Sequence, residues 1–201
     1  MTIYQLKPAF QNLLRPLCRA LANRHVTANQ VTVAALLLSL FTGTTIWLSS
    51  GARPSLCLLP VVLLARMALN AIDGMLAREH AMKSDLGAIL NELGDVLSDT
   101  ALYLPLAAVP GVNPTLIVPI VILAVISEMT GVLAVLIGTQ RRYDGPMGKS
   151  DRAFVFGALA LLLALGIPGG LWVQVVLAST LLLLVWTVVN RAKCALAEVN
   201  A

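Results

Sequence analysis

Six continuous apolar blocks dominate this chain: Val31–Ser49, Leu56–Ala77, Leu86–Val109, Leu116–Gly138, Ala153–Ile167 and Leu171–Val189. Most run roughly 17–25 residues, about the length an α-helix needs to cross a bilayer. The fifth is short and is allowed to begin before Ala153. Apolar residues within the blocks are continuous rather than alternating, which predicts helices and excludes the strands of a membrane barrel. The composition agrees. The chain is 58% hydrophobic and 12% charged, against ~45–50% and ~25% in ordinary soluble domains, and its mean hydropathy is +0.86. The predicted class is therefore all-α: a polytopic membrane protein with six transmembrane helices.

Lysine and arginine set the orientation. Lys7, Arg15, Arg19 and Arg24 precede the first block, Arg78 and Lys83 separate the second and third, Arg141, Arg142, Lys149 and Arg152 separate the fourth and fifth, and Arg191 and Lys193 follow the sixth. Of the 14 basic residues only Arg53 and Arg66 fall elsewhere. The positive-inside rule then puts both termini and this rim in the cytoplasm, and a bacterial inner membrane is expected. No basic-aromatic module accompanies the charge, so a nucleic-acid partner is excluded.

The N-terminal segment lacks the apolar core and small-residue cleavage site of a signal peptide. Its Phe10, Leu13, Leu14, Leu17 and Leu21 recur at three and four among Lys7, Arg15 and Arg19. That pattern predicts an amphipathic helix over residues 3–23, lying in the membrane interface. Cys18, Cys57 and Cys194 are scattered and form no metal or disulfide pattern. No repeat or linker divides the chain. It reads as one domain over 1–201, with the six-helix bundle over 31–189.

Against this background, the residues from Asn70 to Asp99 stand out. Asn70, Asp73 and Ala77 share one helical face at i, i+3 and i+7, and Gly87, Asn91, Asp95 and Asp99 step by four along the next helix. A short loop between the two helices makes them antiparallel neighbours, so the stripes face one another. The result is a cluster of oxygen ligands suited to Mg²⁺ or Mn²⁺ rather than Zn²⁺. Gly74 and Gly87 would let a bulky ligand approach the backbone, and Arg78 is placed to fork onto a phosphate. Any one of Gly74, Ala77 and Gly87 alone would read as small-residue packing between membrane helices. Asp85 and Glu79 read as solvated loop charges. Asp95 and Asp99 lie two to three turns into their helix, where an unpaired carboxylate is costly, and Arg66 is the obvious embedded partner.

The pattern Asn70-x2-Asp73-Gly74-x2-Ala77-Arg78-x8-Gly87-x3-Asn91-x3-Asp95 resembles the signature of the CDP-alcohol phosphatidyltransferase family. That signature has Asp where this chain has Asn70 and Asn91. The segment His25-Val-Thr-Ala-Asn-Gln-Val-Thr32 resembles the family's Thr-Pro-Asn-x-x-Thr entry to helix 1, with Ala28 in place of proline.

The resemblance implies transfer of a phosphatidyl group from a CDP-linked lipid, with CDP-diacylglycerol the expected donor, to an alcohol or phosphorylated polyol, releasing CMP. It also makes a homodimer plausible. Carried over by position, Asn70, Asp73, Asn91 and Asp95 would hold Mg²⁺ or Mn²⁺, and Asp95 would also be the catalytic base. Gly74, Ala77, Arg78 and Gly87 would hold the CDP moiety. Two amides in place of carboxylates remove two negative charges, for which Glu92 and Asp99 are the nearest compensating acids. The resemblance leaves open a rewired two-metal enzyme, a one-metal enzyme, or an inactive relative that binds nucleotide or lipid headgroups.

Arg141, Arg142, Lys149 and Arg152 form a basic cluster beside this site, suited to the phosphate of a polyol acceptor or no more than positive-inside charge. Glu128, mid-helix, would orient Arg66 or a metal-bound group, or pair with another helix. A small transporter is the remaining alternative, but the spans show no inverted repeat or broken-helix pair.

Overall fold

The computed structural model describes residues 3–199, and within them every regular element is helical. In chain order these are α1 (Ile3–Asn23), α2 (Ala28–Leu48), α3 (Arg53–Glu79), α4 (Asp85–Tyr103), α5 (Pro114–Leu136), α6 (Lys149–Ala164) and α7 (Leu171–Val199). A 3₁₀ segment, Leu104–Ala108, follows α4.

Local chemistry sets the helix starts. Thr27 and Gln30 form a reciprocal capping box that opens α2. The Ser84 hydroxyl accepts from the Gly87 N–H to open α4, and Asn113 caps α5 in the same manner.

Four helices, α2, α3, α5 and α7, are long and apolar enough to cross a membrane, which makes this an integral membrane protein. The predicted third and fifth spans do not meet that standard. Helix α4 is 19 residues long and carries four acids, Asp85, Glu92, Asp95 and Asp99. Helix α6 has 16 residues and opens with Lys149, Asp151 and Arg152. Both give their first turns to polar chemistry. The third block also splits at its far end. Pro105 has no N–H to offer the Ala101 carbonyl, so the α-helix stops and a 3₁₀ turn takes over.

That carbonyl decides how closely two helices approach. A Cβ on Gly43 of α2 would stand 1.9 Å from the Ala101 oxygen, so only glycine lets α2 and α4 pack here. Helix α2 packs on both α3 and α4, α6 packs on α3, and α5 packs on α7. The sequence expectation that α3 and α4 pair directly is thus modified: α2 braces both, and their polar stripes meet through side chains.

Leu59, Leu63, Tyr103, Ile117, Phe156 and Leu177 belong to the main core. A second cluster, with Cys18, Val31, Ile72, Met75 and Leu76, joins α1, α2 and α3 at the end where the site lies. Leu14 and Leu21 of α1 pack into it, while Leu13 and Leu17 stay exposed. The three cysteines remain free thiols. Leu37, Leu40 and Phe41 on α2, and Leu182 and Trp186 on α7, face outward. On a soluble domain so much exposed apolar surface would be a liability; on a membrane helix it is the lipid face.

Candidate active site

The end of α3 and the start of α4 meet over a cavity of about 600 Å³ lined by Asn70, Asp73, Gly74, Ala77, Arg78, Gly87 and Asn91. Five residues of the two stripes thus line one space together with Gly74 and Arg78. Asp95 is one turn deeper, where its Oδ1 accepts from Asn70 Nδ2 at 3.0 Å. The same oxygen is contacted by the Lys149 ammonium, and Arg66 Nη2 stands 3.8 Å away.

Asp73 is only 6% exposed. Its Oδ2 accepts from the Thr32 hydroxyl at 2.9 Å, and among the described residues no cation pairs with it. Gly87 sits against two side-chain ends, and a Cβ there would lie 2.7 Å from Asn29 Oδ1, so Asn29 would have to shift. Gly74 keeps open the space beside Arg78, whose guanidinium would be 3.1 Å from an added Cβ.

A second cavity, about 640 Å³, shares Asn70 and Arg78 with the first and is otherwise lined by Phe10, Leu63, Arg66, Met67 and Lys149 among others. It is more apolar. Both cavities therefore border the same two polar residues of α3.

Beneath the site runs a network of buried ions. Asp99 Oδ1 accepts from Arg66 Nη1 at 2.9 Å, and its Oδ2 accepts from Arg152 Nη2 at 3.0 Å. Arg152 also reaches Glu128 at 3.0 Å, and Arg191 lies 3.5 Å from the same carboxylate. Arg141 bridges Glu92 at 2.7 Å and Glu128 at 3.2 Å, with its guanidinium 4.4 Å from the Tyr143 ring centre. Arg142 pairs with Asp144 and Glu198. The Arg142 hydrogen bond holds the Asp144 carboxyl below its ordinary range.

Two sequence expectations meet a more specific geometry. Glu92 and Asp99, named as compensating acids for Asn70 and Asn91, are both bonded to arginines. Glu128 orients Arg152, Arg141 and Arg191 rather than Arg66.

The donor set suits a hard divalent cation. No three His, Cys, Asp or Glu side chains converge at metal-binding spacing among the described residues. What converges is two amides and the buried, cation-free Asp73 at the cavity wall, with Asp95 behind Asn70. All are oxygen donors, the chemistry Mg²⁺ and Mn²⁺ prefer. A buried carboxylate without a counter-ion is costly even when a hydroxyl bonds to it, and a bound cation would relieve that cost.

The sequence reading missed Asn29 and Thr32 as parts of the site. The Thr27–Gln30 capping signature was the available clue, since it fixes which residues begin α2 and so which reach α3 and α4. It also missed the Lys149–Asp95 and Arg191–Glu128 pairs. These join residues far apart in the chain, and helical periodicity does not reveal them.

A family model described as CDP-alcohol phosphatidyltransferase matches residues 25–190. The inner membrane protein YnbA of Escherichia coli (strain K12) is 49% identical over 197 residues, covering 98% of this chain and 97% of that protein. Two crystal structures of the phosphatidylinositol phosphate synthase PgsA1 of Mycobacterium tuberculosis share the fold. The one in complex with manganese and citrate superposes with a TM-score of 0.77 at 18% identity, covering 90% of this chain and 88% of that one. The one with CDP-DAG bound gives 0.72 at 19% identity, covering 92% of each.

Proposed function

The chain belongs to the CDP-alcohol phosphatidyltransferase family, a membrane transferase class of phospholipid biosynthesis, and from that premise we propose that it transfers a phosphatidyl group from CDP-diacylglycerol to an alcohol. The acceptor hydroxyl oxygen forms the new bond to the lipid-bearing phosphorus. The bond from that phosphorus to the CMP oxygen breaks, and CMP leaves. The hydroxyl proton passes to Asp95. The observation that carries this reading is the pairing, in one cavity, of a buried cation-free acid with an unpaired arginine: Asp73 and Arg78.

The cofactor is Mg²⁺ or Mn²⁺, held by Asn70, Asp73, Asn91 and Asp95. When bound, the ion neutralises charge on the phosphate oxygens, on which in-line displacement depends. Arg78 makes no ion pair among the described residues, so its guanidinium is available to fork onto the diphosphate. Gly74, Ala77 and Gly87 leave room for the cytidine diphosphate against the backbone. Asn70 orients the Asp95 carboxylate through its amide N–H. The manganese and CDP-DAG named with the mycobacterial synthase support the same choice of metal and donor.

We read α4 with its 3₁₀ extension and α6 as crossing the membrane alongside the four apolar helices. The basic rim supports a site and both termini on the cytoplasmic side of an inner membrane, with α1 lying along its surface. The name of the Escherichia coli relative supports that membrane. The test is direct: purified protein in detergent micelles with CDP-diacylglycerol, Mn²⁺ and a panel of alcohols is expected to release CMP only when donor, metal and acceptor are all present. CMP release without an acceptor, or none with any, would exclude the transferase reading.

A further inference from the structure

The cations around this site divide into two groups. Arg66, Arg141, Arg142, Lys149, Arg152 and Arg191 are each within 4 Å of a carboxylate. Their partners are Glu92, Asp95, Asp99, Glu128, Asp144 and Glu198. Six cations meet six acids in the metal-free structure; Asp95 is also assigned to the metal ion, so Lys149 is the one cation whose acid is shared with that ion. Arg141 is further engaged by the Tyr143 ring, and Arg152 is 1% exposed. Of the cations lining the two cavities, Arg78 and Lys83 alone make no ion pair among the described residues, and both line the cavity assigned to the nucleotide.

Recognition of a phosphate dianion needs positive charge that is not already spent. A guanidinium bonded to a carboxylate offers little net field to a second anion, and Arg152, the buried member of the set, cannot leave Asp99 and Glu128 without stranding their charges. The three arginines of the loop Gln140–Arg152 are therefore each matched by acids that the metal site does not use, which leaves Lys149 as the loop's one cation beside the metal site. We infer that the acceptor of this transferase is an alcohol without a phosphate group, the donor being the only anionic substrate the site is charged to hold. The inference rests on the transferase reading above, and it replaces the expectation that Arg141, Arg142, Lys149 and Arg152 grip a phosphorylated polyol.

Paired alcohols that differ only in a phosphate test it: glycerol against glycerol 3-phosphate, and inositol against inositol 1-phosphate, each with CDP-diacylglycerol and Mn²⁺. CMP release with kcat/KM at least tenfold higher for one of the unphosphorylated partners is expected. The reverse preference overturns the inference. A calorimetric arm with glycerol 3-phosphate as the probe does not depend on turnover, so failure of the transferase reading is told apart from failure of this one. Wild-type protein is expected to show no saturable binding beyond what Arg78→Ala removes. Glu92→Gln, which removes one acid from the network and leaves Arg141, Arg152 and Arg191 to share Glu128, gives the network a net positive charge and is expected to gain binding that Arg141→Ala abolishes. Wild-type binding that survives Arg78→Ala and is lost in Arg141→Ala overturns the inference, as does the absence of any gain in Glu92→Gln.

Discussion

Asn70 on α3 donates its amide N–H to Asp95 Oδ1 on α4 at 3.0 Å, joining the two polar stripes across the site. An aspartate at position 70 has no hydrogen to donate there and would set a second negative charge against Asp95. In the absence of metal those carboxylates repel, and a divalent ion removes the repulsion. Asn70→Asp with Asn91→Asp is therefore expected to tighten Mn²⁺ binding at least tenfold and to lower the melting temperature of metal-free protein. Titration calorimetry and thermal denaturation with and without EDTA measure both. Unchanged affinity would show that these amides do not face the ion.

Metal removal has a simple expected consequence. The donors are oxygen only, so the affinity is that of a hard-cation site, and EDTA is expected to abolish CMP release. Excess Mg²⁺ or Mn²⁺ should restore it. Full turnover after exhaustive chelation would exclude a metal role.

Asp95 and Arg78 separate chemistry from binding. Asp95→Asn keeps the shape and an oxygen but cannot take the acceptor's proton, and a loss of about 10²-fold or more in kcat is the usual scale for a general base. Binding of CDP-diacylglycerol should change little, because Gly74, Ala77 and Arg78 are untouched. Arg78→Ala is expected to do the opposite, weakening donor binding before turnover. Near-normal kcat in Asp95→Asn would transfer the base role to another group.

Much of this site was legible because its order is local. Asn70, Asp73 and Ala77 fall on one face by helical geometry alone, and the short connection from Glu79 to Asp85 brings the α4 stripe opposite. The embedded Arg66–Asp99 pair also followed from the cost of burying either ion alone. The rest was tertiary. Nothing in the spacing of Arg152, Arg191 or Glu128 says that they converge, since α5, α6 and α7 pack by shape complementarity that a single sequence does not encode legibly. The basic loop shows the same limit: a count of cations did not reveal that each one had an acid.

Gly87 shows how little room the cavity wall leaves. Gly87→Ala would put a Cβ 2.7 Å from Asn29 Oδ1 and 3.0 Å from Ser84 Oγ. Asn29 must shift, and with it a wall of the cavity assigned to the nucleotide. A severalfold rise in KM for CDP-diacylglycerol is expected, with a smaller change in kcat. Steady-state kinetics at saturating acceptor make the comparison, and an unchanged KM would remove Gly87 from the donor site.

The buried network should reveal itself through stability. Asp99 is 5% exposed and accepts from both Arg66 and Arg152. Asp99→Asn leaves the side chain's shape but takes away the charge that balances two embedded guanidiniums. Breaking such a buried pair costs about 3–5 kcal/mol. Asp144 is the control. It pairs with Arg142 at 2.8 Å but remains solvent-accessible, and surface pairs contribute about 0–1 kcal/mol. Thermal denaturation in one detergent is expected to show a large drop in melting temperature for Asp99→Asn and a small one for Asp144→Asn. Equal effects would mean that the membrane-embedded ions do not hold α3, α4 and α6 together, and the account of why six acids and six cations meet beneath this site would fail.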